Sequence, residues 1–242
     1  MSAVSVVSAV PVAPLLSLRD LRHRWPGAAV DTLDVPAFEL AAGEAVFLRG
    51  PSGCGKSTLL SLMAGVLVAD AGTVALLGQD WRAQSAARRD RLRADHVGYI
   101  FQQFNLLPYL SVIDNVRLPL RFSARRRARC AGADEPAQWL ARLGLDEALW
   151  RRPAAQLSVG QQQRVACARA LAGRPELVIA DEPTSALDEG TRDRFVDALL
   201  ASCREAASAL VLVSHDARLA GHFARQIDLP ALNRAARPGA ER

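Results

Sequence analysis

Gly50-Pro51-Ser52-Gly53-Cys54-Gly55-Lys56-Ser57-Thr58 is the stretch from which the fold is read. It follows the apolar run Ala45–Leu48 and opens a segment of helical periodicity that continues to Val66. A strand, a glycine-rich turn and a helix start, in that order, make a phosphate cradle. Its glycines let the chain curl so that successive N–H groups face inward, and the helix N-terminus adds its dipole. In such a cradle Lys56 would reach the β- and γ-phosphates, and the Ser57 hydroxyl would ligate Mg²⁺. Lys56 is the single lysine of the chain, against 29 arginines. A compact ammonium stands where a planar guanidinium serves less well. Nucleoside triphosphate binding is the expectation.

Downstream by 125 residues from Lys56, Leu177-Val178-Ile179-Ala180 ends in the acidic pair Asp181-Glu182. Ligands of open α/β sheets bind at the carboxyl ends of strands. Asp181 is therefore a candidate for the Mg²⁺ shell and Glu182 for the general base that polarises water. Further strands are predicted at 15–19, 35–40, 45–49, 73–77, 97–101, 176–180, 209–213 and 226–229. Helical patterns fall at 56–67, 85–94, 111–121, 134–144, 161–172, 189–205 and 216–224. Apolar runs such as 177–180 and 210–213 read as strands buried on both faces, and their alternation with helices predicts an α/β core with a mostly parallel sheet. Between 103 and 158 the strands vanish and the chain turns helical and arginine-rich, which predicts an inserted helical subdomain. Residues 1–14 read as a loose leader and 233–242 as a tail, leaving 15–232 as the folded unit.

The 242 residues are 50% hydrophobic and 23% charged, an ordinary globular balance. Aromatics at 5% argue against base-stacking surfaces. The net charge of +5 is mild and mixed with acids, so no nucleic-acid partner is expected. Cysteines 54, 130, 167 and 203 lack the spacing of a zinc site or a disulfide framework, which fits a reducing compartment. Of the four, Cys54 is expected to be the most reactive, beside the Lys56 ammonium at a helix start. The longest uncharged stretches, 1–18 and 97–113, are broken by prolines and polar residues, so no membrane span is expected.

A third motif, Leu157-Ser158-Val159-Gly160-Gln161, leads into a helix. With it, residues 15 to about 232 resemble the ATP-binding subunits of ABC transporters, whose signature LSGGQ here reads LSVGQ. The resemblance implies an ABC ATPase fold, with an N-terminal antiparallel β region beside the parallel core. It also implies that Gln102, after strand 97–101, is the glutamine of the Q-loop and touches Mg²⁺. Ser185-Ala186-Leu187-Asp188 becomes the D-loop, with Asp188 at the nucleotide, and His215 becomes the switch histidine. Trp25 stands where the family places an aromatic against adenine. Ser158, Gly160 and Gln161 of one subunit would close on the γ-phosphate held by Lys56 of another, so two ATP molecules join a homodimer. Val159 replaces a family glycine; an N–H donor survives, and an ordinary negative φ is expected there. Arg164 and Arg169, further along that helix, are expected to be helix-surface charges.

Gly98-Tyr99-Ile100-Phe101-Gln102-Gln103-Phe104-Asn105-Leu106-Leu107-Pro108 is similar to the branch holding the lipoprotein-releasing (LolD), macrolide-exporting (MacB) and division-linked (FtsE) ATPases. That likeness implies separate integral-membrane permease subunits as partners and a seat on the inner, cytoplasmic face of the membrane. It implies export or extracytoplasmic traffic of lipoprotein, peptide or small molecule. A mechanotransmitting ATPase of the division-linked kind stays open as an alternative. So does a soluble ABC ATPase acting on nucleic acid, though this chain has neither the second cassette, the coiled coil nor the zinc insertion of those relatives.

Overall fold

The computed structural model describes residues 13–130, 132, 134–185, 187 and 189–236. Strands β1 (Leu16–His23), β2 (Leu33–Leu40), β4 (Ala71–Leu76) and β5 (Gln79–Asp80) form an antiparallel sheet in the order β2-β1-β4-β5. Between them in sequence lie β3 (Ala45–Arg49) and α1 (Lys56–Met63). Strand β3 belongs to a second, parallel sheet with β6 (Val97–Ile100), β7 (Leu177–Asp181), β8 (Ala209–Val213) and β9 (Arg225–Asp228), in the order β6-β7-β8-β3-β9.

Helix α2 (Ala86–His96) precedes β6. After β6 come α3 (Val112–Phe122), α4 (Ala124–Arg129), α5 (Glu135–Arg142) and α6 (Val159–Leu171), which returns the chain to β7. Helix α7 (Glu189–Ala206) joins β7 to β8, and α8 (Leu229–Leu232) follows β9. Every strand of the parallel sheet thus ends on the same edge, where the loops that carry chemistry gather.

Alternate residues of the parallel strands feed two different cores. Phe47, Val178, Ala180, Leu210 and Leu212 pack toward α3, α5, α6 and α7, together with Ile100, Trp139 and Val165. Val46, Leu48, Leu177, Ile179, Val211 and Val213 pack toward α1 and the antiparallel sheet. Both faces are covered, which is why these strands read as continuous apolar runs. The apolar side of the helices at 112–142 is continuous with the first of these cores.

Boundaries differ from expectation in physically readable ways. β1 runs on to His23 and β2 begins at Leu33, because the polar residues there pair across the antiparallel ladder. Helix α1 stops at Met63, short of the predicted 67, where Gly65 adopts φ 71°. The segment predicted as a helix at 216–224 is a 3₁₀ turn over Ala217–His222, started by the Asp216 side chain accepting from the Arg218 N–H. The two-residue β5 and the short α4 escape periodicity because neither is long enough to show one.

Candidate active site

Gly55 leaves β3 for α1 with φ 98°, and a Cβ there would lie 2.9 Å from Leu33 Cδ2. Only glycine satisfies both the left-handed backbone and the close approach. No side chain caps α1, so its leading N–H groups stay available to an anion. Lys56 Nζ folds back over the loop and donates to Gly50 O at 2.8 Å and Pro51 O at 2.9 Å. It bridges the cradle's rim. Cys54 is half-buried, packs on the apolar core and turns its sulfur toward Gly50, where an added Cβ would lie 2.7 Å from it. Burial pushes the Cys130 and Cys203 thiols up to about 12, and Cys167 rises for the same reason.

Strand β8 lies between β3 and β7, so the loop after β8 meets both the cradle and the acidic pair. Burial pushes the Asp181 carboxyl above its ordinary value against the Ser57 hydroxyl, which donates to it; Glu182 adds to the rise and Lys56 opposes it. Two oxygen donors, Ser57 and Asp181, therefore already touch beside a second buried carboxylate. This hard-oxygen set fits a Mg²⁺ ion. Glu182 is 9% exposed and holds φ 49°, a left-handed value that costs a non-glycine residue about 1–2 kcal/mol. Its N–H donates to Val213 O at 3.0 Å, and its Oε2 sits 2.8 Å from His215 Nδ1 and 3.3 Å from the His215 N–H. The strained turn aims the carboxylate at the His215 loop.

Gln102 is exposed just beyond Ile100, and Ile100 pairs in register with Ala180, so Gln102 leaves β6 at the sheet edge where Asp181 ends β7. Trp25, 45% exposed, crowns a loop closed by the Thr32 N–H donating to His23 O at 2.8 Å. Leu33 follows directly and packs on Gly55, which puts this loop against the cradle. Asp188 and Ala186 of the D-loop lie outside the described residues.

The signature stands apart from the cradle. Ser158 caps α6: its Oγ accepts from the Gln161 N–H at 3.4 Å, while Gln161 Oε1 accepts from the Ser158 N–H at 2.9 Å. Val159 opens the helix with the expected ordinary backbone, and Ser158 and Val159 are exposed. Gly160 faces a pocket walled by Arg164, Leu187 and Thr191, not by cradle residues.

Arg164 lies on the helix surface, where it donates to Gly144 O at 2.8 Å and ties α6 to the turn after α5. One expectation is corrected: Arg169 is half-buried, its guanidinium spent on the carbonyls of Phe104 and Asn105, and is not a free surface charge. Sequence reading also missed Gln163, whose side-chain amide donates to Pro183 O beside Glu182, and Asp70, whose carboxylate accepts from the Arg24 N–H at 2.8 Å and lies 3.2 Å from His23 Nδ1. No local signal marks either, because both partners are distant in sequence.

A glycine cradle at a strand end, a bridging lysine and an acidic pair on the neighbouring loops define a P-loop nucleoside triphosphatase. The model of the ABC transporter family matches residues 33–185. The lipoprotein-releasing system ATP-binding protein LolD of Novosphingobium aromaticivorans is 41% identical over 218 residues, covering 89% of this chain and 96% of that protein. The macrolide export ATP-binding/permease protein MacB of Shigella flexneri is 38% identical over 90% of this chain, which spans 33% of that longer protein. Among solved structures, the ATP-binding cassette MJ0796, a dimer in a post-hydrolysis state bound to ADP and Pi, superposes with a TM-score of 0.77 at 31% identity, covering 92% of this chain and 99% of that one. The chain belongs to the ABC transporter family. It is an ATP-binding, ATP-hydrolysing subunit with the ABC cassette fold.

Proposed function

We propose that this subunit dimerises head to tail around two ATP molecules and drives a separate membrane permease. The observation that carries the reading is the split site: the cradle, Asp181, Glu182 and His215 share one sheet edge, while the α6 N-terminus opens elsewhere. A second copy completes it. Gly50–Thr58 wrap the phosphates, with Lys56 on the β- and γ-oxygens and Trp25 stacked on the base. Ser158, Gly160 and Gln161 of the partner copy meet the γ-phosphate, and Asp188 lies at the same seam. Ser57, Asp181 and Gln102 would hold Mg²⁺, which when bound would neutralise charge on the phosphate oxygens. Glu182 takes the proton of the attacking water, and His215 holds the γ-phosphate.

Residues of the segment about 103–158 form the permease-facing subdomain in this reading. Support comes from a cleft lined by Tyr99, Phe101, Asn105, Pro119 and Phe122, beside Gln102, in which Phe122 is 77% exposed. No helix among the described residues is long and apolar enough to cross a membrane; in this reading the permease supplies the seat on the inner membrane face. The relatives' names support traffic of lipoprotein or small molecules outside the cytoplasm.

Glu182→Gln tests the core of this. The amide cannot accept the water's proton, so the variant should bind Mg-ATP, lose turnover and elute as a dimer on size-exclusion chromatography. A monomer that hydrolyses ATP at the wild-type rate refutes both the base and the closure.

A further inference from the structure

Helix α6 carries the signature at its N-terminus, and Arg169 lies about three turns further along it. One Nη of Arg169 donates to Asn105 O at 2.6 Å and the other to Phe104 O at 2.5 Å. Both acceptor residues have left-handed backbones, φ 60° at Phe104 and 48° at Asn105. Consecutive non-glycine residues persist there only when their surroundings fix them. Phe104 is buried, and a Cβ on Gly98 would lie 2.3 Å from Ala170 O, so β6 already presses against α6. The loop between β6 and α3, which bears Gln102, is stapled to the signature helix. Gln163 ties the same helix to the loop bearing Glu182.

We propose that Arg169 is a positioning residue: its fork fixes the Phe104-Asn105 turn, sets where Gln102 stands, and makes any displacement of α6 move Gln102. This rests on the reading that Gln102 works at the nucleotide. Burial lowers the guanidinium's pKa from its usual value, while the nearby Cys167 opposes the change. A lysine is a compact point charge without the rigid planar fork, so it would hold the two carbonyls in a less defined geometry.

Steady-state ATP turnover of the full chain decides it, with Arg169→Ala, Arg169→Lys, Gln102→Ala and the Arg169→Ala/Gln102→Ala double variant, each first shown folded by thermal melting. Misplacing Gln102 should lower kcat about tenfold in Arg169→Ala, with KM for ATP within about twofold. Half-saturating Mg²⁺ should rise, and Arg169→Lys should recover part of kcat. The double variant should be no slower than Gln102→Ala alone. Wild-type kcat in Arg169→Ala, or a double variant slower than Gln102→Ala by the full single-variant factor, overturns the inference. If Gln102→Ala itself turns over like wild type, the reading of Gln102 falls first; if it is slow while Arg169→Ala is not, the inference alone falls. Should Arg169→Ala fail to fold, Arg169→Lys and Arg169→Gln carry the same comparison.

Discussion

Single residues in this chain hold loops more than they hold substrate. Asp70 is an example. Its carboxylate fixes the Arg24 N–H and meets His23, whose ring packs edge-on to Trp25 with centroids 5.4 Å apart. Arg24 closes the same loop by an ion pair with Asp31 at 2.8 Å. If Trp25 stacks on the base, Asp70→Ala loosens that platform and costs about 1 kcal/mol of stacking, roughly a fivefold rise in KM for ATP. The value of kcat should hold, and affinity for inorganic tripolyphosphate, which has no base to stack, should not change. Competition binding with the two ligands checks this, and an equal loss for both sinks the stacking frame. Lys56 was legible because a single lysine in a glycine-rich turn is rare. Asp70 was not, because an acid after Ala69 looks like any turn.

Elements are joined at their ends by charge clusters that periodicity does not reveal. Glu176, just before β7, accepts from Arg129 of α4, lies 3.5 Å from Arg125 and pairs with His96 of α2 at 2.9 Å. Burial raises its carboxyl, but the hydrogen bonds from Arg129 and His96 outweigh that and hold it far below the usual carboxylate range. A depressed carboxylate stabilises the fold above its unfolded value and stops doing so as pH falls through the folded one. Glu176→Gln should therefore cost about 2 kcal/mol at pH 7, with the gap to wild type narrowing below about pH 4. Urea midpoints across that range measure it; a gap independent of pH would mean the cluster acts by packing alone. The longer helices were readable, and α6 carries a capping box in its own sequence at Ser158 and Gln161. Arg126 was not: it is 1% exposed, donates to Ala172 O at 3.2 Å, and burial lowers its pKa to about 10. In sequence it is the middle of a run that looks like solvent-facing charge.

At the scale of the whole molecule, the proposed nucleotide site links β3, β7, β8 and the loop after β6, so bound ligand should stabilise all of them together. At Mg-ATP about 100-fold over Kd the gain is about 2.7 kcal/mol, or roughly 5–10 °C in Tm at this size. Lys56→Ala should abolish that shift, and an unchanged wild-type melting curve in millimolar Mg-ATP would contradict the site. The sequence by itself determined the cradle, the acidic pair and the alternation of buried strands with helices. These are contiguous motifs, in which backbone geometry and burial are imposed by neighbours along the chain. Only the tertiary structure decided the strand order that inserts β8 between cradle and acidic pair. It also decided the His215–Glu182 contact across 33 residues and the Arg169 staple across 64. Such contacts depend on where two distant segments come to rest, and local periodicity carries no record of that.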